Sequence, residues 1–499
     1  GGDFLLPVNC GSHADYQNLV VENLRKYYPN PDLLARSTWD IIERFWHLDL
    51  SDTDTLLTHK YSKFGPAPRT PSCMQRSYLL SIDFKVSSIT EWAAQLKMNP
   101  LFAILSGFQV GDTPGVGTFY DFMKRLWDSD DPHMTSHIHP LKAKVKKPDA
   151  KGEKAASVEK VTVAELLPQL EKTAFPLNDQ PYASLFKIYQ KEFLDVSVEK
   201  GLIHKDSLAL AGDGTPVVTS HRERKKRICK CKENGINDCS CDRYFSQPDC
   251  DIGWDSSRDC FYHGYDLYML VDSQSDLPVF PHYSYASKHD SHGFLQAFFR
   301  MRAFLPDYKV SKVLLDSAHD AMPYYQYFKR QNITPFIDLN GKGGRPPVYK
   351  NDFTIDKDGV PVCPSGHRMR RDGIEVAKGR MKFKCPKISH TGGCISCTCD
   401  KPCSKAKYGR TVHLILNDNP RLFNNPPRSS KEWKLEYNAR TSAERSNKRE
   451  KLDFKLEDGR HRSTKMWYCR LYHILMLQHL DAWDLPSESP LRKLILNAA

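Results

Sequence analysis

The chain has 499 residues, of which 40% are hydrophobic and 26% charged. These are the proportions of an ordinary folded protein rather than a disordered or fibrous one, and the length suffices for two or three domains with cores of their own. Lysine and arginine exceed aspartate and glutamate by twelve, which favours a polyanionic partner but does not name one, and no apolar run approaches the roughly 18 residues of a membrane span.

No signal-peptide pattern opens the chain, so a soluble cytoplasmic protein without membrane contact is expected. Residues 1–140 read as an aromatic-rich helical domain. "SSITEWAAQLKMNP" offers Ser88 as a cap with Glu91 three positions on, then Ile89, Trp92, Ala93 and Leu96 on one face, with Pro100 as the stop. A second short helix is expected from Thr118, with Phe119, Phe122, Met123 and Leu126 on its apolar side. Two such helices joined by a Gly/Pro segment suit either a DNA-binding helical unit or a plain structural bundle. Residues 141–160, "LKAKVKKPDAKGEKAASVEK", have little to bury and read as a flexible linker.

From residue 161 the pattern changes to apolar runs bounded by turns. "SLALAGDGTP" predicts a buried strand that ends in Asp213 and a Gly turn, and "GYDLYMLVDSQSDLPVFPHYSYAS" predicts two more strands. A helix "SHGFLQAFFRMRAFLP" follows, then a strand "VSKVLLD" ending in Asp316, a helix "AMPYYQYFKRQ" and a strand "TPFIDL". This order implies a mixed sheet covered by helices, an α/β fold. Between residues 341 and 410 the rhythm gives way to a basic, cysteine-rich insertion, after which residues 411–499 return to helices, among them the apolar "STKMWYCRLYHILMLQHL".

Of the fifteen cysteines, six lie between Cys229 and Cys260 and six between Cys363 and Cys403. In a cytosolic chain such clustering points to metal ligation rather than disulfides. Candidate ligands for structural Zn²⁺ in the insertion are Cys363, His367, Cys385, Cys394, Cys397, Cys399 and Cys403, more than the four one ion takes. The tighter Cys-x-Cys pairs, Cys229 with Cys231 and Cys239 with Cys241, form a second candidate set. His263, His282, His289 and His292 have no spacing that pairs them and read as strand and cap residues. In "HRERKKR", Arg224, Lys225, Lys226 and Arg227 stand close after the first acidic strand and are candidates for the DNA backbone, a solvated basic loop being the plain alternative.

"EYNARTSAERSNKREK" contains Tyr437, Arg440, Glu444 and Lys451. On one ideal helix these fall within about 60° of each other, so a single face would present a phenol, a guanidinium, a carboxylate and an ammonium. Asp213 and Asp316, each at a strand end where an open sheet exposes its ligands, bring the acids to three. Three converging carboxylates need cations, and hard oxygen ligands suit Mg²⁺ or Mn²⁺.

The spacing Y-x2-R-x3-E-x6-K, with "AGDGTPV" and "LLDSAHD" around the two aspartates, resembles the bacterial insertion-sequence DDE transposases over about residues 200–480. The resemblance implies an RNase-H-like core, with Asp213, Asp316 and Glu444 holding two Mg²⁺ or Mn²⁺ ions and Tyr437, Arg440 and Lys451 on DNA. It also implies cut-and-paste transposition by a homodimer that binds terminal inverted repeats and target DNA on the bacterial nucleoid. The family often carries an aromatic residue shortly after the second acid, where this chain has Ala318 and His319. Two other functions fit the same residues: a transposase-derived DNA-binding regulator that no longer cuts, and a metal-dependent nuclease that cuts without joining strands.

Overall fold

A computed structural model describes residues 11–62, 64–134, 161–219, 225–227, 229–241, 243–245, 247–341, 348–349, 353–389, 396–400 and 402–496. The expected linker at residues 141–160 lies outside them. The chain is α/β, with one six-stranded mixed sheet flanked by helices.

Strand β1 (Leu208–Val218) lies in the middle of that sheet. Its first half, "LALA", is buried at every position because both faces are covered, which is why the run is continuously apolar rather than alternating. On one side β1 pairs antiparallel with the long strand β3 (Cys260–Asp272), whose two halves pair in turn with β2 (Asp251–Asp255) and β4 (Pro278–Tyr285). On the other side β1 pairs in parallel with β5 (Val310–Leu315), and β5 with β6 (Thr334–Ile337). The parallel pairing of β1 stops at Ala211, opposite Leu314, whereas its antiparallel pairing runs on to Val218. Asp213 therefore does not end a strand, as expected from its Gly neighbours. It sits mid-strand, just past the point where one edge of β1 is left open, because the ladder to β3 carries the backbone straight through Gly214.

Helices position the rest. Helix α1 (Pro71–Asp83) belongs to the aromatic N-terminal region, where Ser88 caps the next helix, Ile89–Met98, by accepting from the Glu91 N–H, and the second expected helix runs Val116–Arg125. Helix α2 (Asp290–Phe304) packs on β1, β3 and β4, with Phe294 meeting Tyr268 of β3 and Phe304 meeting Phe280 of β4. Helices α3 (Lys431–Asn438) and α4 (Thr441–Lys448) carry the Tyr437 to Glu444 segment, and α4 rests on β1 and β3. Helix α5 (Thr464–Ala482) is buried nearly all round, consistent with its lack of a polar face.

The N-terminal helices share one continuous hydrophobic core with the sheet. His473 of α5 is hydrogen-bonded to Gln75 at 3.0 Å and meets the Tyr78 ring edge-on at 4.5 Å, while Tyr182 stacks on Tyr468 at 4.8 Å. Aromatic pairs of this kind add about 0.5–1.5 kcal/mol each beyond their burial.

After β6 the chain leaves this core. Residues Arg370–Glu375, Arg380–Lys384 and Thr411–Ile415 form a small antiparallel sheet, and Phe353, Ile355, Met381, Phe383 and Leu414 pack into a separate minor core. Arg421, paired with Asp320, and Arg428, donating to the Ile337 carbonyl at 3.0 Å, fasten the return of this insertion to the main body. Among the described residues, no helix is long and apolar enough to cross a membrane.

Candidate active site

Three carboxylates converge where the open edge of β1 faces the end of β5. Asp213, Asp290 and Asp316 each offer an oxygen within 4.8 Å of the other two. Asp316 directly follows β5, turns into a short 3-10 helix (Ser317–His319) and accepts from the Ala318 N–H at 3.0 Å. Its Oδ1 also lies 2.7 Å from Nδ1 of the buried His319, whose Nε2 is 2.8 Å from the Tyr268 hydroxyl. With Nδ1 protonated, that imidazole donates to Asp316 and accepts from Tyr268, which fixes the carboxylate's orientation.

The electrostatics of the acids diverge. Burial, then the charges of Asp290 and Asp316, push the Asp213 carboxyl up to about 7 against the opposing pull of Arg440, and Glu444 adds to the rise. Burial also raises Asp290, partly countered by His319 and His289. Burial works against ionisation of Asp316 as well, but the hydrogen bond and charge of His319, the Ala318 N–H and Arg440 hold it below the usual carboxylate range. Of the four charged groups acting most on Asp213, only Arg440 is a cation. Such a set is short of positive charge and suits a hard divalent cation.

Glu444 is not the third member of this set. Its carboxylate is 49% exposed and pairs with Arg440 at 2.7 Å. The reason is a break in the expected continuous helix: α3 ends at Asn438, Arg440 occupies the N-cap of α4, and a wide π turn at Arg449–Asp453 follows. The four signature residues thus do not share one helical face. Tyr437 stacks on Trp433 at 4.7 Å, Arg440 lies between the Tyr437 ring and Glu444, and Asn447 donates to Asp213 at 3.4 Å. Lys451 is only 15% exposed; it donates to the Pro216 carbonyl at 2.7 Å and lies 3.4 Å from Glu457, bracing β1 rather than facing solvent. Arg440 keeps a buried Nε–H without a partner, a donor available to an incoming oxyanion.

Asp290 escaped the sequence reading because it stands at a helix N-terminus, where an acid is ordinary. Asp266 left a clearer trace, as one charge in the apolar run "YDLYML" of β3. Of the four histidines taken as strand and cap residues, His263 and His282 lie in β3 and β4, His289 caps α2, and His292 lies within α2, in contact with the Val161 carbonyl at 2.7 Å.

The thiols gather elsewhere. Cys229, Cys231, Cys239 and Cys241 lie together, all four sulfurs within 4.8 Å, above a short ribbon formed by Lys225–Arg227 and Arg243–Phe245. The Cys231 N–H and then the Cys239 thiol bring the Cys229 thiol down to about 7. Four sulfurs at this separation fit a tetrahedral Zn²⁺. In the insertion burial, then the neighbouring Cys363 and Cys385, raise the Cys403 thiol, and Cys363 accepts from the His367 N–H at 3.4 Å. Among the described residues those sulfurs are not gathered as the first four are. The His367 contact comes from its backbone, Cys399 is partly exposed, and Cys394 and the Cys397 side chain lie outside the described residues. Arg224 lies outside them too, and so do the side chains of Lys225, Lys226 and Arg227.

No family model matches the chain, and no curated protein matches it significantly.

Proposed function

We propose that this chain is a metal-dependent DNA-processing enzyme, a DDE transposase that cuts the ends of a mobile element and joins them to target DNA. The observation carrying the proposal is the meeting of Asp213 and Asp316, from two adjacent parallel strands, at the open edge of the sheet beneath the Arg440 and Glu444 helix. The strand order β3-β1-β5-β6, with β2 and β4 both pairing with β3, and with β3 running antiparallel and β5 and β6 parallel to β1, supports an RNase-H-like reading of the core.

Divalent cations bound at such a centre would activate a water or a 3′-hydroxyl and stabilise the leaving oxygen at phosphorus. The chain's own residues do the rest. Asp213 and Asp316 would hold an ion at the open edge of the sheet, with Asp316 oriented by His319. Arg440, with a buried Nε–H left without a partner, would take a phosphate oxygen, which would release Glu444 toward the acids. The Cys229 to Cys241 centre would hold Zn²⁺ as a structural element. On this reading the enzyme works as a homodimer on terminal inverted repeats.

A nuclease that cuts without joining strands is the second reading, favoured by Asp290 in place of Glu444 beside the two aspartates. One experiment orders the possibilities: incubate purified protein and Mg²⁺ with DNA carrying the inverted repeats that flank its coding region, and score nicking and strand transfer. Wild type is expected to give both products, and Asp316→Asn to lose both by at least about a thousandfold while still binding DNA. Nicking without transfer selects the nuclease, and undiminished cutting by the variant removes Asp316 from the mechanism.

A further inference from the structure

The acid cluster extends further inward than three side chains. Asp266 of β3 pairs in register with Pro216, so by strand alternation it lies on the same side of the sheet as Gly214, the side covered by α2, whereas Asp213 projects to the α4 side. Asp266 is 6% exposed, and its Oδ2 is buried without a hydrogen-bond partner. Its strongest electrostatic neighbours are Asp290 and Asp213, two more acids.

Gly214 explains how the carboxyls fit. A side chain there would begin 2.3 Å from Asp290 Oδ1 and 3.3 Å from Asp266 Oδ1, so the two acids occupy the space above a bare Cα and face each other across it. A buried polar atom without a partner costs about 1–3 kcal/mol, and more when it belongs to an ionisable group. A β-strand has no need of an acid in such a place.

We propose that Asp266 and Asp290 form a second divalent-cation position, inward of the first, with Asp290 shared between this ion and the one held by Asp213 and Asp316. Small size and hard oxygen donors make Mg²⁺ or Mn²⁺ the class of ion, with water completing the shell. The inner ion would anchor Asp290, and through it the outer one. The inference rests on the metal-dependent reading above but concerns ligation, so it is tested by binding rather than by catalysis.

The test counts Mn²⁺ bound by the full-length, EDTA-stripped chain by electron paramagnetic resonance, with circular dichroism and thermal melting to verify folding. Wild type is expected to bind two ions at the acid centre. Asp266→Asn, close to isosteric, should bind one, with the affinity of the inner position lowered at least about tenfold. Gly214→Ala removes no carboxylate but displaces Asp290, the ligand shared by the two ions, and should weaken both positions; a folded Gly214→Ala chain that keeps two ions at wild-type affinity overturns the inner position, which keeps the test decisive if Asp266→Asn does not fold. Wild type binding a single ion, or Asp266→Asn retaining two, overturns the inner position alone. Wild type binding no ion overturns the metal-dependent function as well.

Discussion

The acid centre and the four-thiol centre are both candidate metal sites, yet they are held in different ways. Asp213, Asp290 and Asp316 project from a sheet and a helix whose apolar faces lie in one continuous core, so the ligands are placed before any ion arrives. Cys229, Cys231, Cys239 and Cys241 sit on a turn in which no residue from 229 to 241 is buried. There a bound ion would supply what a core otherwise does. Core packing can hold like charges together against their repulsion, whereas an exposed turn can gather four thiols only if something binds them.

That contrast can be broken most sharply at the acid centre. Replacing Asp213 by Asn should reduce DNA cleavage by a factor of at least about a thousand while leaving the melting temperature unchanged or higher, since a repelling charge is removed from a buried site. A large loss of stability instead would mean that the core does not hold the acids in place.

A second effect, on the order of a few kcal/mol, is expected at Glu192, an acid buried in the same core but provided with donors, Thr53 N and Oγ1, each at 2.8 Å. Burial pushes its carboxyl up to about 8 from an ordinary value of 4.5, the Thr53 hydrogen bonds opposing the shift. The folded state therefore binds this proton more tightly than the unfolded one. Its contribution to stability is full below about 4.5 and is lost as pH rises to about 8. Denaturant titrations at pH 5 and pH 8 should show this loss in wild type and a smaller one in Glu192→Gln. An equal slope in both proteins assigns the pH dependence elsewhere, for example to Glu450, which is also pushed up to about 8 by burial.

The smallest global effect belongs to the thiols. Cys239→Ser should remove one equivalent of Zn²⁺ and accelerate amide hydrogen exchange between residues 229 and 241, with a melting temperature within about 2 °C of wild type. If the whole domain melts early, the turn is coupled to the core and the contrast between the centres disappears.

Much of the sheet was legible in the sequence. Leu208 to Ala211 and Val313 to Leu315 are unbroken apolar runs because they are buried on both faces, and the acids that follow them stand out. Lys451 was legible only as a charge. Its partners, Pro216 and Glu457, are set by the path of the π turn, which a regular 3.6-residue period does not anticipate. Asp290 was hidden by being a typical helix-start residue, and its role appears only when β1 and α2 are brought together in space. The four cysteines from 229 to 241 were visible as a cluster, while their choice over the larger set in the insertion depended on turn geometry that spacing does not encode.

The hydrogen bond from Asn447 to Asp213 joins residues 234 positions apart, and the Lys451 brace on Pro216 spans 235. At about 5–20 residues per second, a ribosome needs roughly 10 to 50 s to travel that distance. For that interval the first aspartate is already made but lacks the helix that completes its surroundings. If the proposed function holds, a centre assembled in this order stays incomplete on the nascent chain until the late helix emerges, which would delay any cutting until most of the molecule exists.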